Sequence, residues 1–143
     1  IGAGFPMGAF VANKKFAAAM EPGDHGSTYG GNPMAGQACR TVFKILEDTK
    51  MIDHVQDISE YLIEKLDDLQ EAFPCIKERR GLGLMIGLEF DKPVKDIVKT
   101  CLDLGLIVVT AGSHVVRMLP PFITTEKDVD QAIAILKEAI EKN

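Results

Sequence analysis

The sequence predicts an α+β fold. Residues 51–143 read as a small, mostly antiparallel sheet with helices on one side, and residues 1–50 as the end of a different, larger domain. Three observations carry this. Ile52, Val55, Ile58, Leu62, Leu66, Leu69 and Phe73 step by three or four residues, the clearest helical stripe in the chain. Beyond it the order is strand, helix, strand, strand, helix. The last two strands, Leu106 to Thr110 and His114 to Leu119, are separated only by Ala111-Gly112-Ser113, which makes them antiparallel partners.

In chain order, residues 1–8 form a Gly/Pro turn and Met7 to Ala12 reads as a short buried strand. Lys14 to Met20 offers one or two helical turns, stopped by Pro22-Gly23. Pro33 opens a helix to about Thr49, with Asn32 as its cap and Met34, Ala38, Val42, Ile45 and Leu46 at helical spacing. Thr49-Lys50 is a weak break before the long stripe, which Pro74 ends. Cys75 to Arg79 reads as a short strand, Arg80 to Gly83 as a bend and Leu84 to Phe90 as a strand. Within that strand Gly87 marks a bulge or close backbone packing. Pro93 opens a helix that Gly105 stops. Thr125 caps the last helix, with Asp128 at the capping-box position.

Composition narrows the function classes. A net charge of −5 argues against a nucleic-acid or anionic-membrane partner. No apolar run approaches the roughly 20 residues of a membrane span. Cys39, Cys75 and Cys101 form no CxxC, and His25, His54 and His114 fall at no metal-ligand spacing. Reduced, mostly buried cysteines point to a cytoplasmic protein. The chain carries no initiator Met or leader and begins inside a glycine-rich motif, so it reads as the C-terminal piece of a longer protein.

The chemistry centres on Gly23-Asp-His-Gly-Ser-Thr-Tyr-Gly-Gly-Asn-Pro33, with four glycines and two adjacent hydroxyls in eleven residues. Such a loop can turn its amides toward a phosphate or carboxylate and then open a helix. Taken alone, a short glycine-rich loop of this kind favours the reading of a solvent loop capping that helix over an anion site. It is neither a P-loop nor a dinucleotide fingerprint, because the Gly-Lys-Ser/Thr and Gly-x-Gly-x-x-Gly spacings are missing.

These residues resemble the GDHGSTFGGNP signature of the class III aminotransferases, which use pyridoxal 5′-phosphate. Ile1 to Phe10 is similar to the family's GGGFPIGA segment, Arg80 to Glu89 to its RGxGLMxGxE strand, and Val116-Arg-Met-Leu-Pro-Pro121 to its RxxPPL segment. The acetylornithine-type members are the nearest in character. The resemblance implies the C-terminal small domain of a fold-type I pyridoxal-phosphate enzyme plus the tail of its large α/β domain. It implies that Thr28 binds the cofactor phosphate across a homodimer interface, that Ser27 meets substrate and that Arg117 lies near a substrate carboxylate, alternating with a glutamate from the missing domain.

The lysine that holds the cofactor in that family would precede Ile1, so the chain alone is expected to be inactive. The implied reaction moves an amino group from an ω-amino donor, N-acetylornithine first, to 2-oxoglutarate. Ornithine, succinylornithine and 4-aminobutyrate remain alternative donors. A non-catalytic amino-acid-binding module and a purely structural domain remain alternative classes. Of the other candidates, Arg80 reads as pinning a bend through carbonyls and His25 as bonding the loop backbone. His54 reads as solvated, Glu89 as a strand end, and Met85 and Met118 as core.

Overall fold

The computed structural model describes residues 1–143. It divides into two compact units, Ile1–Met51 and Ile52–Asn143.

The first unit holds a four-residue helix, α1 (Lys14–Ala17), and a long helix, α2 (Pro33–Asp48). Asn13 caps α1 by accepting from the Phe16 amide. The strand expected over Met7 to Ala12 is absent. Those residues pair with nothing, and Phe10 and Val11 are 66% and 99% exposed. A strand needs a neighbour to take its backbone hydrogen bonds, and the unit supplies none. α2 forms where its spacing places it, yet none of its residues is buried. Lys50, with φ at 50°, breaks the chain between α2 and the next helix.

The second unit is α+β. α3 (Met51–Ala72) leads into β1 (Ile76–Leu82) and β2 (Met85–Phe90), then α4 (Lys95–Asp103), β3 (Val109–Thr110), β4 (Val115–Met118) and α5 (Glu126–Glu141). The sheet order is β1-β2-β4-β3, antiparallel throughout. The expected bend at Arg80-Gly81 is instead part of β1. The chain turns at Gly83-Leu84, with Gly83 at φ 58°, in the tight two-residue connection that suits twisted hairpins. The ladder is irregular at Ile76/Glu78 rather than at Gly87. α4 starts two residues after Pro93, with Val94 as its N-cap and the Val94 amide donating to the Ser113 carbonyl at 3.0 Å. Gly105, at φ 94°, ends α4 in a Schellman motif. Leu106 N–H reaches Cys101 O at 2.8 Å and Gly105 N–H reaches Leu102 O at 3.0 Å. β3 is shorter than the sequence suggests, with only Val109 and Thr110 paired to β4.

The core lies on one face of the sheet. Ile86, Leu88 and Phe90 of β2 and Val116 and Met118 of β4 point into it. There they join Leu62, Leu66 and Leu69 of α3, Ile97 and Cys101 of α4, and Val129, Leu136 and Ala139 of α5. Burying a side chain of this size contributes roughly 1.5–3 kcal/mol. His54, expected in solvent, places Nε2 3.0 Å from the Thr124 carbonyl oxygen and ties α3 to the lead-in of α5. Met85, expected in the core, lies on the opposite face and is half exposed. No helix is long and apolar enough to cross a membrane.

Candidate functional site

The glycine loop is a succession of tight turns. Asp24 Oδ2 accepts from the Glu21 amide at 2.7 Å, and the Asp24 amide donates back to the Glu21 carbonyl at 3.1 Å. Gly30 N–H closes on Ser27 O at 3.1 Å, and Asn32 N–H on Tyr29 O at 3.3 Å. Asn32 Oδ1 then accepts from the amides of Met34 and Ala35, at 2.8 and 3.3 Å, and starts α2.

These bonds leave the N–H groups of Gly26, Ser27, Thr28, Tyr29 and Gly31 unspent within the chain. The Thr28 hydroxyl is also unspent. It makes no bond to its own backbone, the contact that would satisfy it in a plain turn. Exposed amides beside a free hydroxyl are a donor set that suits a phosphate oxygen.

The two hydroxyl residues diverge. Ser27 lines an open concavity of about 780 Å³ formed with Phe5 to Gly8 and Tyr29 to Pro33. It also lines a second one with Gly8 to Phe10 and His25. Thr28 lines neither. His25 meets the Phe10 ring edge-on at 6.0 Å between centroids and bonds no backbone group, contrary to the sequence reading.

Arg117 belongs to the second unit, on the sheet face turned away from the core. β4 alternates, with Val116 and Met118 buried and Arg117 exposed. Its direct cross-strand partners are Gly87 on β2 and Val109 on β3. It forms no ion pair with any carboxylate of the chain. An unpaired guanidinium on a rigid strand can take a carboxylate through two parallel bonds.

The same face carries a group that the sequence reading missed. Arg80 Nη1 donates to Glu78 at 2.8 Å and also to Glu89. It does not pin a bend through carbonyls. The hydrogen bond it donates to Glu89, then that carboxylate's charge, hold the Arg80 guanidinium above its ordinary range. The signal lay in the two-residue period, which places Glu78, Arg80 and Glu89 on one face once the hairpin is aligned. His114, the residue just before β4, pairs its Nδ1 with the Ser113 hydroxyl at 2.7 Å and is exposed.

Three kinds of relationship place the chain among known proteins. The family model described as aminotransferase class-III matches residues 1–140. The acetylornithine aminotransferase of Clostridium acetobutylicum is 43% identical over 98% of this chain and 36% of its own length. That of Streptococcus mutans is 40% identical over 98% of this chain and 37% of its own. The chain thus spans little more than a third of the curated relatives it matches. Among solved structures, ornithine δ-aminotransferase of Plasmodium falciparum superposes with a TM-score of 0.83 at 29% identity, covering 92% of this chain and 35% of that one. Lysine aminotransferase of M. tuberculosis gives 0.78 at 27%, covering 85% and 28%. With a family match from the first residue almost to the last and four matching motifs in order, the chain belongs to the class III aminotransferases.

Proposed function

We propose that the chain is the C-terminal part of an enzyme that moves an amino group from N-acetylornithine to 2-oxoglutarate, a step of arginine biosynthesis, with pyridoxal 5′-phosphate as cofactor. The observation that carries the donor is the run of relatives at 33–43% identity over 96–100% of the chain, each an acetylornithine aminotransferase. The free hydroxyl and amides of the glycine loop support the cofactor.

When bound, pyridoxal phosphate supplies an electron sink for breaking the bond to hydrogen at the substrate's amino carbon. The chain's own residues bind and orient. Thr28 Oγ1 and the unspent loop amides donate to phosphate oxygens, and in a two-fold dimer they do so for the other protomer's cofactor. Ser27 faces the concavity beside the loop and offers substrate a hydroxyl. Arg117 fixes a substrate carboxylate, so the reacting end is held in one orientation while chemistry proceeds.

A second reading, ornithine as donor, draws on the TM-scores of 0.83–0.84 to the ornithine aminotransferases of Plasmodium. A panel of N-acetylornithine, ornithine, succinylornithine and 4-aminobutyrate with the full-length enzyme separates the two by kcat/KM. N-acetylornithine should lead by about tenfold or more, the scale of one well-made polar contact. Thr28→Ala should raise the dissociation constant for pyridoxal phosphate about tenfold, as expected for one bond to a charged group. An unchanged constant would return the loop to a helix cap and nothing more.

A further inference from the structure

We propose that Gly87 is a specificity-determining residue, whose lack of a side chain leaves the room beside Arg117 that the carbon chain of a carboxylate substrate occupies. The inference rests on the proposed function, in which Arg117 fixes a substrate carboxylate, and adds the surface on which that substrate lies. The sheet register carries it. Ile86, Leu88 and Phe90 of β2 are buried in the core, so Gly87 and Glu89 face the other way. Gly87 pairs directly with Arg80 on one side and Arg117 on the other. It is thus the one position between two arginines on a central strand of the sheet.

The backbone does not require glycine here. Gly87 lies outside the left-handed region, and it pairs with both neighbouring strands without a bulge. In a strand interior a glycine weakens the sheet and packs nothing. An alanine would nearly fit. Its Cβ would lie 3.2 Å from Val115 Cγ1, the tip of a side chain, and 3.9 Å from the Arg80 carbonyl oxygen. Gly81 is the contrast, because at φ 141° a Cβ there would lie 2.1 Å from the Met85 carbonyl oxygen, and the hairpin itself demands glycine. Gly87 has no such internal reason, so the reason lies above the face. Arg80 does not fill that space. Its head is tied to Glu78 and Glu89, which pair with each other two residues along the ladder. The other direct partner of Arg117 is Val109, which offers a carboxylate no polar group. A carboxylate in the Arg117 fork, its chain on the Gly87 side, therefore lies on bare backbone, and a side chain at position 87 would stand where its next carbons go. The register, rather than any lack of a partner on Arg117, places them so.

The test measures binding of glutarate, a dicarboxylate that cannot react, to full-length holoenzyme by calorimetry. Gly87→Ala should weaken glutarate about tenfold and Gly87→Val about a hundredfold, the range that one to a few methyl-sized groups span in a binding pocket. Affinity for pyridoxal phosphate should stay within about twofold of wild type, since its proposed donors lie in the glycine loop; a variant that loses both ligands together would mark Gly87 as structural and overturn the inference. Val115→Ala, alone and combined with Gly87→Ala, separates room for substrate from fit within the sheet, because it removes the 3.2 Å contact. A loss that persists in the double variant, measured against Val115→Ala alone, supports the inference. Restored affinity marks Gly87 as a packing residue and overturns it, as does wild-type affinity in Gly87→Val. If Gly87→Val does not fold, Gly87→Ala carries the same comparison. Arg117→Ala separates the layers. If it leaves glutarate binding unchanged, the clamp reading itself fails and the inference falls with it. If it weakens binding while the Gly87 variants bind as wild type does, only the inference fails.

Discussion

Cys101 shows how far a single residue's environment governs its chemistry. It has no exposed surface and sits on α4 among Leu, Ile and Val side chains. Burial pushes its thiol from the ordinary 9.0 up to about 11. Between those values the folded chain keeps the proton that the unfolded chain has released, so stability falls as pH rises through that window and is untouched below it. The loss should reach about 2 kcal/mol at the alkaline end. Urea unfolding from about pH 8 to 11 should show this extra slope in the wild type and not in Cys101→Ala. Thr28 and Arg117 make the opposite case. Both are exposed, and neither has its polar groups satisfied within the chain. Their residue types and motif positions single them out in the sequence, but only coordinates show that their bonds are unspent.

Among the elements, α5 starts with a complete capping box. Thr125 N–H donates to Asp128 Oδ2 at 2.9 Å, and Asp128 N–H donates to Thr125 Oγ1 at 3.4 Å. The bonds from the Thr125 hydroxyl and amide hold the Asp128 carboxyl below its ordinary 3.8. That stabilisation is present at and above the ordinary value and is lost as pH falls through the lower folded one. Thr125→Ala should cost about 1 kcal/mol at neutral pH, and the difference from wild type should narrow in acid. Thermal unfolding at both pH values checks it. This element was legible because a cap is local, with both partners within four residues. The β1-β2 hairpin was legible as two strands but not in its turn. Arg80-Gly81 looks like a bend, and it is the partner strand, with Arg80 opposite Gly87 and Gly81 opposite Ile86, that keeps it extended.

At the scale of the molecule the two units differ in kind. The second has a shared core of helices and sheet. In the first only Gly2 is buried, and Phe10, Phe16, Tyr29, Met34 and Phe43 are all about half exposed or more. A helix such as α2, 16 residues with nothing packed to burial on it, is marginal in water on propensity alone. Amides of α2 should therefore exchange with solvent at least about a hundredfold faster than those of α3, β2 and β4 in the isolated chain. Hydrogen-exchange mass spectrometry reads this directly, and equal protection in both units would contradict it. The same exposed apolar surface predicts concentration-dependent self-association of residues 1–143.

The sequence by itself determined the class of the second unit, the capping box of α5, the stop of α4 at Gly105, and the family. Periodicity, caps and motif spacing are short-range properties written in neighbouring residues. The tertiary structure decided which face of the sheet is core, that Met85 lies outside it, that Met7 to Ala12 finds no strand partner, and that Glu89 joins Arg80. Each of these depends on which segments lie side by side. That is set by the burial of the whole apolar surface at once, and no local stretch of chain encodes it.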